Sequence, residues 1–194
     1  MTLEEEALDR IIQLLERVKI PYMVTGSIAA SYHGRPRATH DADVVIDPGE
    51  GQLDELTGNL RTAGFYVDAD RAREALRQRR QFNAIEMARA TKVDLIIRKG
   101  RAFSTEEFGR RRTVDLAFRP RVALVTAEDL VLSKLEWARL GGDSERHVRD
   151  AAGVVELNPA LDRAYIHHWA AELGVSDLWN RIAAFDRPPG PGRT

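Results

Sequence analysis

Apolar and polar positions change period several times along the chain, and each change marks an element. Over residues 3–18 (LEEEALDRIIQLLERV), Leu3, Ala7, Ile11, Leu14 and Leu15 fall on one stripe, the spacing of an amphipathic helix. Pro21-Tyr22-Met23-Val24 reads as a short buried strand, and Gly26-Ser27 opens a helix that runs to Tyr32 and is closed by Gly34. Residues 40–46 alternate, with Asp41, Asp43 and Val45 on one face and Ala42, Val44 and Ile46 on the other. The pattern then predicts a helix over 52–63 stopped by Gly64, a short strand at Phe65-Tyr66-Val67, and a basic helix or loop over 71–80. Strands are predicted at 82–87 and 92–98, joined by a turn around Arg89-Ala90-Thr91; in the second, Val93, Leu95 and Ile97 share a face and Asp94 lies opposite. A helical turn at 105–110 and strands at 114–118 and 122–125 follow. Thr126-Ala127-Glu128-Asp129 is a helix-start signal, after which helices run to about residue 185.

This order predicts an α+β fold: a mixed sheet flanked by helices over residues 1–125, then a C-terminal helical bundle over 126–186. The tail, residues 187–194, has no core-forming side chains and reads as disordered. No internal repeat is present.

Composition narrows the classes without naming one. The 194 residues suffice for a real core, and 43% hydrophobic with 30% charged residues is ordinary for a soluble globular protein. No apolar run approaches a bilayer span, and the N-terminus is acidic where a signal peptide would be basic. Cysteine is absent, which excludes disulfides, thiolate metal sites and cysteine nucleophiles; the expected location is the cytoplasm. Net charge is −1 but uneven. Residues 61–121 carry 16 Lys/Arg against 8 Asp/Glu, whereas residues 1–60 carry 5 against 11 and residues 122–194 carry 8 against 11. A centre at +8 suits a polyanion, either a triphosphate or a nucleic-acid backbone; a solvated arginine-rich surface would look the same.

Three aspartates stand in apolar strands at positions that alternation directs away from the core: Asp41, Asp43 and Asp94. Carboxylates at i and i+2 on one strand, with a third from a neighbour, are a natural set of hard-oxygen ligands for magnesium, or manganese in its place. Two such ions roughly 3.5–4 Å apart can clamp the attacking and leaving oxygens of a displacement at phosphorus. Taken alone, the three could equally be solvent-facing strand residues. Gly26-Ser27 adds a second signal, because a glycine lets backbone approach a phosphate and a helix N-terminus attracts anions. His33, His40 and Asp41 could be drawn as a zinc site, but their spacing is irregular. His167 and His168, beside Trp169, are expected to face solvent and core respectively.

Val24-Thr25-Gly26-Ser27, thirteen residues, then Asp41-Ala42-Asp43-Val44, with Asp94 inside Val93-Asp94-Leu95, resembles the nucleotidyltransferase superfamily that includes DNA polymerase β. Gly34-x-x-Arg37-x-Thr39 before the aspartates strengthens the match. Lys134 within LSKLEW and Asp150 after Arg149 are similar to the AbiEii and MenT group of bacterial toxin nucleotidyltransferases. Here, though, Trp137 replaces a small residue, and Ala151-Ala152-Gly153 lacks a second acid. The resemblance implies a nucleotidyltransferase-like fold and a nucleoside triphosphate substrate. It places Gly26, Ser27, Arg37, Thr39, Lys134 and Asp150 at the nucleotide, and Asp41, Asp43 and Asp94 at metal and chemistry. It further implies transfer of a nucleoside monophosphate to an acceptor hydroxyl, with pyrophosphate released and a cognate antitoxin as partner. The basic centre, with Arg77, Arg79 and Arg80, favours RNA (tRNA by the toxin resemblance) as acceptor. The alternatives are nucleotidylation of a small molecule such as an antibiotic, and a non-catalytic nucleotide-binding antitoxin or regulator.

Overall fold

The computed structural model of the chain describes residues 1–36, 41–141 and 144–185. Its elements follow the hydrophobic pattern closely: α1 (Leu3–Val18), β1 (Tyr22–Thr25), α2 (Gly26–His33), β2 (Asp41–Ile46), α3 (Glu50–Thr62), β3 (Phe65–Tyr66), α4 (Ala69–Gln78), β4 (Gln81–Glu86), β5 (Thr91–Ile97), α5 (Ala102–Arg110), β6 (Arg112–Leu116), β7 (Arg119–Leu124), α6 (Ala127–Arg139), α7 (Ser144–Leu157), α8 (Arg163–Glu172) and α9 (Ser176–Phe185). The fold is α+β, a mixed seven-stranded sheet with flanking helices. Two units divide it. Met1–Ala29 with Arg37–Val125 form one, and Ala30–Pro36 with Thr126–Thr194 form the other, so the division falls within α2. The tail at 187–194 lies outside the described residues.

In the first unit the strand order is β3-β4-β5-β2-β1-β7-β6. β2 runs parallel to β5 and antiparallel to β1, and β1 runs parallel to β7. Ala42, Val44 and Ile46 of β2 and Val93, Leu95 and Ile97 of β5 are fully buried, forming the apolar face of the sheet. A helical layer covers it: α1 packs on β2, β5 and α3, α3 on α4, and α4 on β4. Burying six such side chains is worth roughly 1.5–3 kcal/mol for each large one, and this is what fixes register. A one-residue slip would turn both acids of β2 into the core.

α1 begins on a capping box, in which Thr2 Oγ1 accepts from the Glu5 amide and Glu5 Oε2 accepts from the Thr2 amide. The stretch read as helix or loop is a helix. Asp68 caps α4 by accepting from the Asp70 and Arg71 amides, and Arg79 ends it at φ +53°. The turn expected at 105–110 is instead the whole helix α5, whose buried face alternates Phe103 and Phe108 with Ser104 and Glu107. Two polar members in that stripe hid its period.

In the second unit α6 packs on α7 and α8, and α9 on α7 and α8, around a fully buried Trp179. Thr126 caps α6, accepting from the Asp129 amide at 3.3 Å. The fully buried Asp129 carboxylate accepts from the Thr126 hydroxyl at 2.6 Å and the Tyr165 hydroxyl at 2.5 Å. Such satisfaction is what burial of a carboxylate requires. Gly34 serves packing here. A Cβ on it would lie 3.1 Å from the backbone nitrogen of Val154 in α7. No helix among the described residues is long and apolar enough to cross a membrane.

Candidate functional site

The parallel register of β2 and β5 brings the sequence-predicted acids together. Asp43 lies beside Asp94, and Asp41 beside Lys92. Adjacent strands are about 4.8 Å apart, so register partners share a face and touch. Thr25 of β1 and Asn83 of β4 extend the first row, giving Thr25–Asp43–Asp94–Asn83 across four strands. Asp94 is only 7% exposed, while Asp41 and Asp43 are half-buried. The acids therefore form a row across the sheet and not merely a pair along one strand.

Lys92 was not among the residues that the sequence singled out, and it decides the electrostatics. Its Nζ lies 3.0 Å from Asp94 Oδ2 and 3.4 Å from Asp41 Oδ1. Burial pulls the lysine pKa down, but the hydrogen bond and attraction from Asp94, joined by Asp41, outweigh it and hold the ammonium above its ordinary value. Repulsion within the row is thus offset by the protein's own cation. The signal was available: Lys92 stands at i−2 from Asp94, on the same strand face. The buried Oδ1 of Asp94 has no hydrogen-bond partner among the described residues.

Gly26 begins α2 at φ +64°, a left-handed conformation that glycine adopts without cost. A Cβ there would lie 1.9 Å from Asp43 Oδ2. The sequence assigns this glycine to phosphate approach; in the structure the space beside it belongs to the Asp43 carboxylate. Ser27, 8% exposed, follows in the first turn of α2.

A divalent ion suits the donor chemistry of this face, which offers Asp43 and Asp94 in the row and Asp41 two residues along β2, with a buried oxygen of Asp94 lacking a hydrogen-bond partner among the described residues. As they stand, no three acidic or imidazole side chains among the described residues converge as a ready-made metal cluster. Lys92 engages two of the three carboxylates.

Arg37, Thr39 and His40 are outside the described residues. Lys134 and Asp150 belong to the second unit, where they meet each other at 2.9 Å, their side chains 5% and 8% exposed. On and after α4, Arg77 pairs with Glu74, whose carboxyl it holds below the usual range, and Arg79 donates to the Arg98 carbonyl at 3.1 Å and approaches Asp47 at 3.5 Å. Arg73 bridges Asp54 and Asp70, and Arg80 is exposed. His167 and His168 are both exposed, because Ile166 and Ala170 supply the buried stripe of α8.

No family model matches the chain, and no curated protein resembles it in sequence. Solved structures do resemble it in fold. One is the antibiotic-resistance factor ANT(2'')-Ia in solution, 14% identical at a TM-score of 0.57 over 94% of both chains. The same factor in complex with adenylyl-2''-tobramycin is 16% identical at 0.59, over 89% of this chain and 98% of that one. An antigenic nucleotidyltransferase-like protein from Paracoccidioides brasiliensis is 18% identical at 0.54, over 93% and 92%. The fold of the chain is therefore that of nucleotidyltransferases.

Proposed function

We propose that the protein is a metal-dependent nucleotidyltransferase that moves a nucleoside monophosphate from a nucleoside triphosphate to an acceptor hydroxyl. The observation that carries this reading is the register of β2 and β5, which sets Asp43 beside the buried, half-satisfied Asp94 with Asp41 on the same face. Asp41 and Asp43 would hold magnesium, with Asp94 completing the ligand set. The ion, when bound, neutralises phosphate charge and lowers the barrier at phosphorus. Gly26 and Ser27 would present the first amides of α2 to the triphosphate. Asp94 would help to take up the acceptor's hydroxyl proton. The acceptor oxygen then bonds to the α-phosphorus as the bond to pyrophosphate breaks, and the products are the nucleotidylated acceptor and pyrophosphate.

For the acceptor, RNA follows from the basic centre of the sequence, and a cognate antitoxin from the Lys134 and Asp150 motifs. The pairing of Arg73 and Arg77 with acids of their own helices favours a second reading, a small-molecule hydroxyl acceptor. Incubation with each α-labelled triphosphate, magnesium, and either total tRNA or a panel of polyhydroxylated small molecules tests both. Label should pass to one acceptor class and none should pass in Asp43→Asn. Equal labelling by wild type and Asp43→Asn would overturn the enzyme assignment.

A further inference from the structure

Lys92 is a half-buried cation that the reaction as proposed does not use, and its placement asks for an account. Its ammonium bonds to Asp94 at 3.0 Å and reaches Asp41 at 3.4 Å. The two acids come from different strands, brought together only by the parallel register. Asp94 is more than nine-tenths buried, and Lys92 occupies only its Oδ2, leaving Oδ1 unpartnered among the described residues. A bridge that needed only stability would place both oxygens in hydrogen bonds. Resting on the nucleotidyltransferase reading, we propose that Lys92 is a stand-in cation, holding Asp41 and Asp94 in their ligating arrangement and giving way when a divalent ion arrives. Metal binding is then an exchange of one cation for another. The carboxylates keep their positions at the cost of weaker metal affinity, and the displaced ammonium swings clear on its flexible four-carbon stem.

The test uses the full chain, nucleotide-free, with Mn2+ alone as probe. Lys92→Met keeps length and apolar stem but removes the charge. A cation within 4–6 Å of a carboxylate shifts its proton affinity by about one to three pKa units, so removing it should tighten Mn2+ binding on the order of tenfold, read by calorimetry. The metal-free melting temperature of Lys92→Met should fall below wild type and be recovered by saturating Mn2+. Lys92→Arg, which keeps the charge, should bind Mn2+ close to wild type. A folded Lys92→Met with unchanged or weaker Mn2+ binding overturns the proposal. If the variants do not fold, the wild type decides: the Lys92 ammonium nitrogen resonance should move as Mg2+ is added, and an unmoved resonance at Mg2+ saturation overturns the exchange. Asp43→Asn separates the two readings. If it abolishes Mn2+ binding while Lys92→Met leaves it unchanged, only the stand-in role falls. If it binds Mn2+ as wild type does, the metal reading of the carboxylates falls and the stand-in role with it.

Discussion

At the scale of the residue, two neighbours in the carboxylate row respond in opposite ways to the same chemical change. Asp43→Asn removes a negative charge from beside Asp94, so without metal its melting temperature should equal or exceed that of wild type. On the proposed reading transfer should fall below detection, because a metal ligand would be lost. Asp94→Asn removes the charge of the nearer of the two partners of Lys92, and the weakened charge-assisted bond should cost about 1–2 kcal/mol, since hydrogen bonds to charged groups are worth somewhat more than neutral ones and this pair is partly exposed. Urea titrations of both variants without metal check the contrast; a stabilised Asp94→Asn would contradict it. Gly26 is constrained twice, by its φ of +64° and by Asp43 Oδ2 lying 1.9 Å from where a Cβ would stand. Gly26→Ala should therefore cost about 1–3 kcal/mol in backbone strain and displace Asp43. Loss of Mn2+ affinity as well as of stability is the expected signature, and calorimetry on the folded variant reads it.

At the scale of the element, α4 separates a charged surface from a charged site. Its arginines looked like a track for RNA phosphates, but Arg73 and Arg77 are matched by Asp54, Asp70 and Glu74. Each phosphate contact on a single strand contributes about −0.7 to the log–log salt slope. Replacing Arg77, Arg79 and Arg80 with Gln should change the slope of tRNA binding by less than one such contact, as measured by filter binding. A flattening by two contacts or more would restore the track. Element legibility in the sequence follows the same logic. α1 was readable because its stripe is wholly apolar. α4 was not, because its buried positions are only Ala72 and Ala75, too small to set a period against many arginines. α5 was half-read, because Ser104 and Glu107 complete the buried face of Phe103 and Phe108.

At the scale of the whole molecule, the motifs of the sequence fall into two groups by what they touch. Lys134 and Asp150, sixteen residues apart in the chain, form a buried pair within the helical unit. Removing one partner of such a pair leaves the other charge buried and costs about 3–5 kcal/mol. Lys134→Met and Asp150→Asn should each destabilise by that order, and Lys134→Met with Asp150→Leu should recover most of it. Thermal melts of the three variants decide whether the pair is structural; independence of the two single effects would argue that it is not. The acids of the first unit were legible because alternation along one strand betrays its face. Lys92 was only half legible: its place beside Asp94 on one strand face could be read, but its strand partner Asp41 could not, because register between strands some fifty residues apart is a property of the sheet and not of any local pattern.

The parallel pairing of β2 with β5 also orders events as the chain leaves the ribosome. Until residues 91–97 emerge, β2 can pair only with β1, and its other side is an open edge carrying Asp41 and Asp43. Charged side chains on an exposed edge are a general safeguard against pairing with a stranger. Asp41, which the finished protein pairs with Lys92, and its neighbour Asp43 would thus keep the unfinished chain apart from its neighbours on the polysome, and the closing of β5 over that edge, slow because it is non-local, ends the protection at the moment it supplies the lysine.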